Sequence, residues 1–240
     1  MARELEGRVA LVTGGGQGLG AAICAELADA GATLLVVDRS ERAHETVQAA
    51  RAAGVRADAL VGDIGEERDV ARFVTHAQRE HGRLDAIVNN AGIDVTTGIE
   101  SLAVEQWDAV LRTNLRGPFL LAKLALPLLR VRGGDIVNVA STAAKRGWPN
   151  ASAYHASKWG LLGLSYALHA ELRPAGVRVT AVIAGGMRTP FLLERFPDLD
   201  PAKLQDPRNV ARAVRFALSQ PGESVVAEIT VLPVQETSWP

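Results

Sequence analysis

A single doubly wound α/β domain built on a seven-stranded parallel sheet is the fold this sequence predicts. Three observations carry that reading. Short β-branched runs alternate with longer stretches of helical periodicity. The strand-like runs are near-continuously apolar, as strands covered by helices on both faces are. The length of 240 residues suits one such domain over 1–240, with no repeat, low-complexity segment or long linker.

The elements follow in order. Arg8–Val12 reads as the first strand, and Gly18–Ala30 as a helix that Gly31 ends. Thr33–Val37 is strand, Glu41–Ala53 helix and Arg56–Val61 strand. Glu66–His81 is helix with Gly82 as its stop, and Leu84–Val88 is strand. One helix runs from Ser101 to Leu111 and another from Asn114 to Arg130. Asp135–Val139 is strand, Ser152–Leu172 a long helix and Val177–Ile183 strand. Pro207–Ser219 closes as helix and Ser224–Val231 as the seventh strand. Strands joined through helices imply right-handed parallel crossovers. The Pro- and Asp-rich stretch Arg195–Asp206 is irregular, and a short substrate loop or lid is expected over about residues 186–206.

Composition excludes several classes. A net charge of −1 offers no electrostatic case for nucleic acid or an anionic membrane as partner. The single cysteine, Cys24, rules out an internal disulfide and a multi-cysteine metal site, and it falls in an apolar helical stretch. The apolar run Phe119–Leu129 is broken by Lys123 and Pro127 and is too short to span a bilayer. The charged N-terminus has no signal-peptide core, so a cytoplasmic location is expected.

The first strand runs into Thr13-Gly14-Gly15-Gly16-Gln17-Gly18-Leu19-Gly20, where a helix begins. Glycines let backbone turn tightly against a pyrophosphate, and a helix N-terminus supplies free N–H groups and a positive dipole end. The Gly-x-x-x-Gly-x-Gly spacing differs from the usual Gly-x-Gly-x-x-Gly, but the strand–turn–helix placement points to a dinucleotide-binding Rossmann domain. Gly14, Gly18 and Gly20 are the named candidates. Asp38 ends the second strand at the distance expected of a carboxylate that binds the adenosine ribose. It also repels a 2′-phosphate, which favours NAD. Arg39 is the counter-signal, since an arginine there can hold that phosphate and keeps NADP open. Gln17 is neutral, so the glycine loop offers no second basic group.

Further motifs resemble those of the short-chain dehydrogenase/reductase family, including its 3-oxoacyl-acyl-carrier-protein reductase-like members. They occur in the family's order across essentially the whole chain: the Thr13–Gly20 loop, Asp63, Asn89-Asn90-Ala91-Gly92, Asn114, Ser141, and Tyr154-His155-Ala156-Ser157-Lys158. The resemblance implies a cofactor set of Gly14, Gln17, Gly18, Leu19, Gly20, Asp38, Arg39, Asp63, Ile64, Asn90, Ala91, Gly92, Tyr154, Lys158, Ile183 (through its backbone), Gly185 and Thr189. It implies catalysis by Asn114, Ser141, Tyr154 and Lys158. Ser141 would hold the substrate oxygen, Lys158 the nicotinamide ribose, and Asn114 a relaying water. Asp63 has a second reading as a strand-end cap, and Asn89 and Asn90 as braces of the central strands.

The chemistry agrees. Residues four apart on a helix share a face, so Tyr154 and Lys158 meet. A phenol titrating near ~10 is a poor base at neutral pH, and a nearby ammonium is expected to lower it. Tyr154 then exchanges a proton with an alcohol or carbonyl oxygen while the nicotinamide moves the hydride.

After the sixth strand the family has Pro-Gly and then a Thr; here the residues are Ala184-Gly185-Gly186-Met187-Arg188-Thr189. Losing the proline adds flexibility beside the nicotinamide. Expected substrate contacts are Ser141, Trp148, Tyr154, Met187 and Arg188, with Phe191, Ile93, Asp94 and His155 as further candidates. Trp148 and Phe191 suggest a partly apolar pocket, and Arg188 a contact for an anionic substrate. Trp239, near the C-terminus, is a candidate for packing on a pocket or a neighbouring subunit. The expected activity is hydride transfer between NAD and a secondary alcohol or ketone. The alternatives are an NADPH-dependent 3-oxoacyl-type ketoreductase and a non-catalytic dinucleotide sensor. A homo-tetramer or dimer is expected on the helices 114–130 and 152–172, whose apolar content, including Leu161, Leu162, Leu164 and Leu168, fits an interface and an internal core equally well.

Overall fold

The computed structural model describes residues 3–236. Seven parallel strands, β1 (Val9–Thr13), β2 (Thr33–Asp38), β3 (Ala57–Val61), β4 (Ala86–Asn89), β5 (Asp135–Ser141), β6 (Arg178–Ala184) and β7 (Glu228–Val231), form one sheet. Their order is β3-β2-β1-β4-β5-β6-β7. The chain winds outward from β1 to one edge and then from β4 to the other. The loops leaving β1 and β4 therefore part to opposite sides, and a crevice opens at the strands' carboxyl ends.

Helices cover both faces. On one lie α1 (Gly18–Asp29), α2 (Arg42–Ala52) and α8 (Pro207–Leu218); on the other lie α3 (Glu67–His81), α4 (Val104–Leu111), α5 (Gly117–Leu129) and α6 (Ser152–Leu172). The period of two along β1 explains the split. Ala10 and Val12 enter the first core layer, Val9 and Leu11 the second. Phe73, Leu121 and Leu129 anchor the second layer and are fully buried. Gly82, at φ +67°, stops α3 in the left-handed region. Among the described residues no helix is long and apolar enough to cross a membrane.

Four elements differ from the sequence expectation. The last strand, expected from Ser224, begins at Glu228, because the Ser224 N–H is turned back to the Pro221 carbonyl. The helix expected from Ser101 begins at Val104, because residues 98–102 form turns and Gln106 Oε1 accepts the Ala103 N–H. The helix expected from Asn114 instead joins α4 through a π-helical turn, Arg112–Arg116, closed by Gly117 N–H to the Arg112 carbonyl. Pro118 has no N–H to give the Asn114 carbonyl four residues back, so the regular α ladder cannot run through. The segment expected as a loop or lid over about residues 186–206 contains a short helix, α7 (Pro190–Leu193), ahead of the stretch Arg195–Asp206 expected to be irregular. Leu161 and Leu162, which fit an interface or an internal core equally well, are buried inside the chain. Trp239 lies outside the described residues.

Candidate active site

A cleft of about 620 Å³ opens at the carboxyl ends of the strands. Its floor is the glycine turn. Gly14 and Gly18 hold positive φ of +62° and +54°, which costs glycine nothing. A Cβ on Gly20 would stand 1.9 Å from the Gly14 carbonyl oxygen, so only glycine fits. Asn90 Nδ2 donates to the carbonyls of Thr13 (2.9 Å) and Gly14 (3.2 Å), while Thr13 Oγ1 accepts from the N–H groups of Asn90 and Ala91. Asn90 thus braces the turn that it also lines. Gln17 caps α1 without bonding its first-turn N–H groups. The Gly15 and Gly16 N–H groups are spent on the Val37 carbonyl and Asp38, so it is the α1 N-terminus from Gly18 onward, reached across a glycine-rich turn, that fits a pyrophosphate.

Asp38 accepts from Gly16 N, Ser40 N and Ser40 Oγ, each at 2.9 Å, and stands at the cleft wall. Arg39 is 63 % exposed and lies 3.9 Å from the Asp63 carboxylate. Asp63 lines the cleft and also caps its strand end, accepting Gly65 N at 2.8 Å. Leu19, Ile64, Ala91 and Gly92 line the same cleft. The expectation that no second basic group stands by the glycine loop is wrong: Arg42 Nη1 donates to Gln17 Oε1. Arg42 opens α2 and is folded back over the turn, a closeness that a separation of 25 residues conceals.

The chemical end lies between β5 and α6. Ser141 ends β5, its Oγ accepting Ala143 N at 3.2 Å, and it lines the cleft together with Tyr154. Lys158 is 4 % exposed, and its Nζ donates to the Val139 carbonyl at 2.8 Å and lies 5.6 Å from the Tyr154 ring centre. The shared helix face expected of the pair is present. The expected lowering of the phenol is not: desolvation pushes Tyr154 up to about 12, Asp94 adds to it, and Ser141 and Arg195 oppose it. Burial pushes Lys158 down to about 8, against the pull of Asp94. The Lys158 ammonium, bonded to the Val139 carbonyl and 5.6 Å from the ring centre, does not offset the desolvation of the phenol.

Asn114 is buried in the π turn. It clamps Ile93, accepting its N–H and donating to its carbonyl, both at 2.8 Å, and donates to Ser157 Oγ at 3.0 Å. Ser157 in turn donates to the Tyr154 carbonyl at 2.7 Å. A Cβ on Gly92 would lie 3.4 Å from Asn114 Oδ1 and 3.7 Å from Lys158 Nζ, so these two groups face one narrow gap.

The outer wall is aromatic. Trp148 stacks edge-on against His155 at 4.2 Å, and its backbone N–H donates to His155 Nε2. The Phe191 ring lies 6.1 Å from that of Tyr154. Arg195 covers Phe191 at 3.9 Å and pairs with Asp94, whose side chain is only 7 % exposed. Met187 and Thr189 line the cleft, and so does Gly185. One expected contact lies elsewhere. Arg188 turns outward to the Leu204 carbonyl and to Asp206 at 4.0 Å, and is no part of the cleft wall. Ile183, expected to meet the cofactor through its backbone, has its side chain buried in the sheet, with Ala184 and Gly185 next to it at the wall. In place of Arg188, Arg195 reaches the cleft, alongside Arg39, Lys158 and Lys203, and Glu236 also enters it, accepting Gly186 N at 3.1 Å. Neither Arg195 nor Glu236 was legible beforehand, since each depends on a contact far along the chain.

Comparison with known proteins agrees with this architecture. The family model for short chain dehydrogenases matches residues 8–200. The chain is 37% identical over 209 residues to levodione reductase of Leifsonia aquatica, covering 85% of this chain and 77% of that protein. It is 31% identical over 237 residues to a 3-oxoacyl-[acyl-carrier-protein] reductase of Thermotoga maritima, covering 94% and 96%. Among solved structures, a metagenomic short-chain oxidoreductase in complex with NADP superposes with TM-score 0.85 at 32% identity, covering 96% of this chain and 99% of that one. A levodione reductase crystal structure gives TM-score 0.87 at 31% identity, covering 98% and 100%. With the doubly wound sheet, the glycine turn and the Ser141–Tyr154–Lys158 constellation, these matches establish that the chain belongs to the short-chain dehydrogenase family.

Proposed function

We propose that this chain interconverts a secondary alcohol and its ketone with NAD(H), using Tyr154 as general acid and base. The observation that carries the proposal is that Ser141 and Tyr154 line the same cleft wall, with Lys158 buried one helical turn behind. A bound nicotinamide dinucleotide supplies the hydride donor or acceptor. The glycine turn and the α1 N-terminus would hold its pyrophosphate, Asp38 the adenosine ribose, and Lys158 the nicotinamide ribose. Ser141 fixes the substrate oxygen beside the phenol. Tyr154 gives that oxygen a proton in reduction and takes it back in oxidation. The Asn114–Ser157 link holds the Tyr154 backbone, and the aromatic wall of Trp148 and Phe191 excludes water and favours a small, largely apolar substrate.

A second reading, NADPH-dependent ketoreduction, is favoured by the two cations Arg39 and Arg42 near the adenosine end and by the relative solved with NADP. Asp38 argues for NAD, because its carboxylate is held at the place a 2′-phosphate would crowd. The exposed apolar side chains Phe119 and Trp159, on α5 and α6, support a homo-oligomer. The test is turnover of a panel of secondary alcohols and ketones with each cofactor, for the native chain and Tyr154→Phe. The variant should lose about 10²- to 10⁴-fold in kcat while still binding the dinucleotide. A native chain that binds NAD(H) but turns over nothing in the panel, with Tyr154→Phe indistinguishable from it, would move the reading to a sensor.

A further inference from the structure

A second cluster of chemistry-bearing side chains lies away from the cleft. Asp58 is the second residue of β3, the edge strand, four residues before the Gly62 that reaches the cleft. His76 and His81 come from the last turns of α3. Both imidazoles aim Nε2 at one oxygen, Asp58 Oδ2, at 3.1 and 2.9 Å. The other oxygen, Oδ1, is taken by Arg51 Nη2 of α2 at 3.3 Å, which turns Oδ2 toward the rings. The His81 side chain is 2 % exposed, while His76 and Asp58 keep 26 % and 23 %, enough for an ion to enter.

We propose that Asp58, His76 and His81 form a binding site for a divalent transition-metal ion of the zinc class, separate from the catalytic cleft. The three donor atoms lie within 4.8 Å of one another. Sides of 2.9, 3.1 and at most 4.8 Å put the triangle's centre about 2.5 Å or less from each corner, against zinc bonds of about 2.0–2.2 Å. An ion at that centre needs only small side-chain adjustments. On loading, each neutral ring carries its proton on Nδ1 and presents the Nε2 lone pair, while Asp58 keeps its negative charge. Two imidazoles and one carboxylate suit zinc, whereas magnesium prefers an all-oxygen octahedral shell. The site also has a place in the fold. β3 and α3 are the two arms of one unit whose connecting loop carries Asp63 and Ile64 to the cleft, and the ion would tie those arms together at the opposite end.

The experiment is thermal unfolding and titration calorimetry of the tag-free chain with 100 µM ZnCl2 or MgCl2. If zinc stands at roughly 10 to 100 times its Kd, Tm should rise by about 3–10 °C, with one ion bound per chain and no response to magnesium. His76→Gln and Asp58→Asn, both at partly exposed positions, should fold with near-native Tm in the absence of metal and lose both the shift and the bound ion. Absence of a shift in the native chain, an equal response to magnesium, or an unchanged zinc response in either variant would overturn the site.

Discussion

Replacing Asp38 with alanine tests the adenosine end of the cleft most sharply. Its carboxylate accepts three hydrogen bonds at 2.9 Å from Gly16 and Ser40, so it is positioned before any ligand arrives. Two effects follow from removing it. Hydrogen bonds from the ribose hydroxyls to a charged acceptor are worth about 1.5–3 kcal/mol, so NAD(H) should lose about 10- to 100-fold in kcat/KM. A 2′-phosphate at about 4 Å from the carboxylate feels about 1 kcal/mol of repulsion per charge pair in water and about 4 kcal/mol near a protein surface. Asp38 is part-buried and lies between those limits. Relieving the repulsion, with Arg39 and Arg42 left in place, should raise kcat/KM for NADP(H) by about 10-fold or more. The ratio of the two cofactors should then move by about 10²- to 10³-fold. The assay is initial-rate kinetics with each cofactor at fixed substrate, with Tm measured on the same preparations because Gly16 loses an acceptor. A native chain that prefers NADP(H), or a ratio that moves less than about threefold, refutes the role given to Asp38 and transfers it to the two arginines.

Three further outcomes are expected. Tyr154 stands at about 12 in the free chain, so the phenolate that oxidation needs is scarce at pH 7. At subsaturating cofactor and alcohol, kcat/KM for oxidation should climb about tenfold per pH unit from pH 7 toward 8 and less steeply above it, where the Lys158 ammonium at about 8 is lost, while that for reduction does not climb; a flat oxidation profile contradicts this. Arg195→Ala leaves the carboxylate of Asp94 without its ion-pair partner in a site where that side chain is 7 % exposed. Breaking a fully buried pair costs about 3–5 kcal/mol; with Arg195 partly solvated about 1–3 kcal/mol is expected, together with a raised substrate KM. Adding Asp94→Asn should recover most of the lost stability, and a double variant no more stable than Arg195→Ala would show that the pair is not what was broken. Gly20→Ala drives a methyl onto the Gly14 carbonyl and should abolish dinucleotide binding, whereas Gly163→Ala, with open space around it on α6, should fold and bind normally; calorimetry of the two variants decides.

Much of this molecule is determined locally, and that part is readable from residue order. The period of two along β1, the Gly82 stop, the Cβ-free turn after Thr13 and the one-turn spacing of Tyr154 and Lys158 each depend on neighbours within a few residues. Backbone sterics and helical pitch decide them before any tertiary contact forms. The alternation of strand and helix then leaves few ways to bury the apolar faces, so the doubly wound order follows as well.

What only the tertiary structure decided is where side chains on loops and helix ends turn, and how charges are met. Arg188 and Arg195 are seven residues apart in one segment, and no local rule says which enters the cleft. The Leu204 carbonyl and Asp206 draw Arg188 out, and Asp94, 101 residues away, holds Arg195 in. Arg42 meets Gln17 only because α2 returns across the glycine turn. The phenol of Tyr154 rises instead of falling because burial outweighs an ammonium that sits by its ring, a balance of desolvation against geometry that no spacing encodes. Local sterics act over a few residues and are written in their order, while desolvation and ion pairing depend on whatever the finished fold brings within a few ångströms.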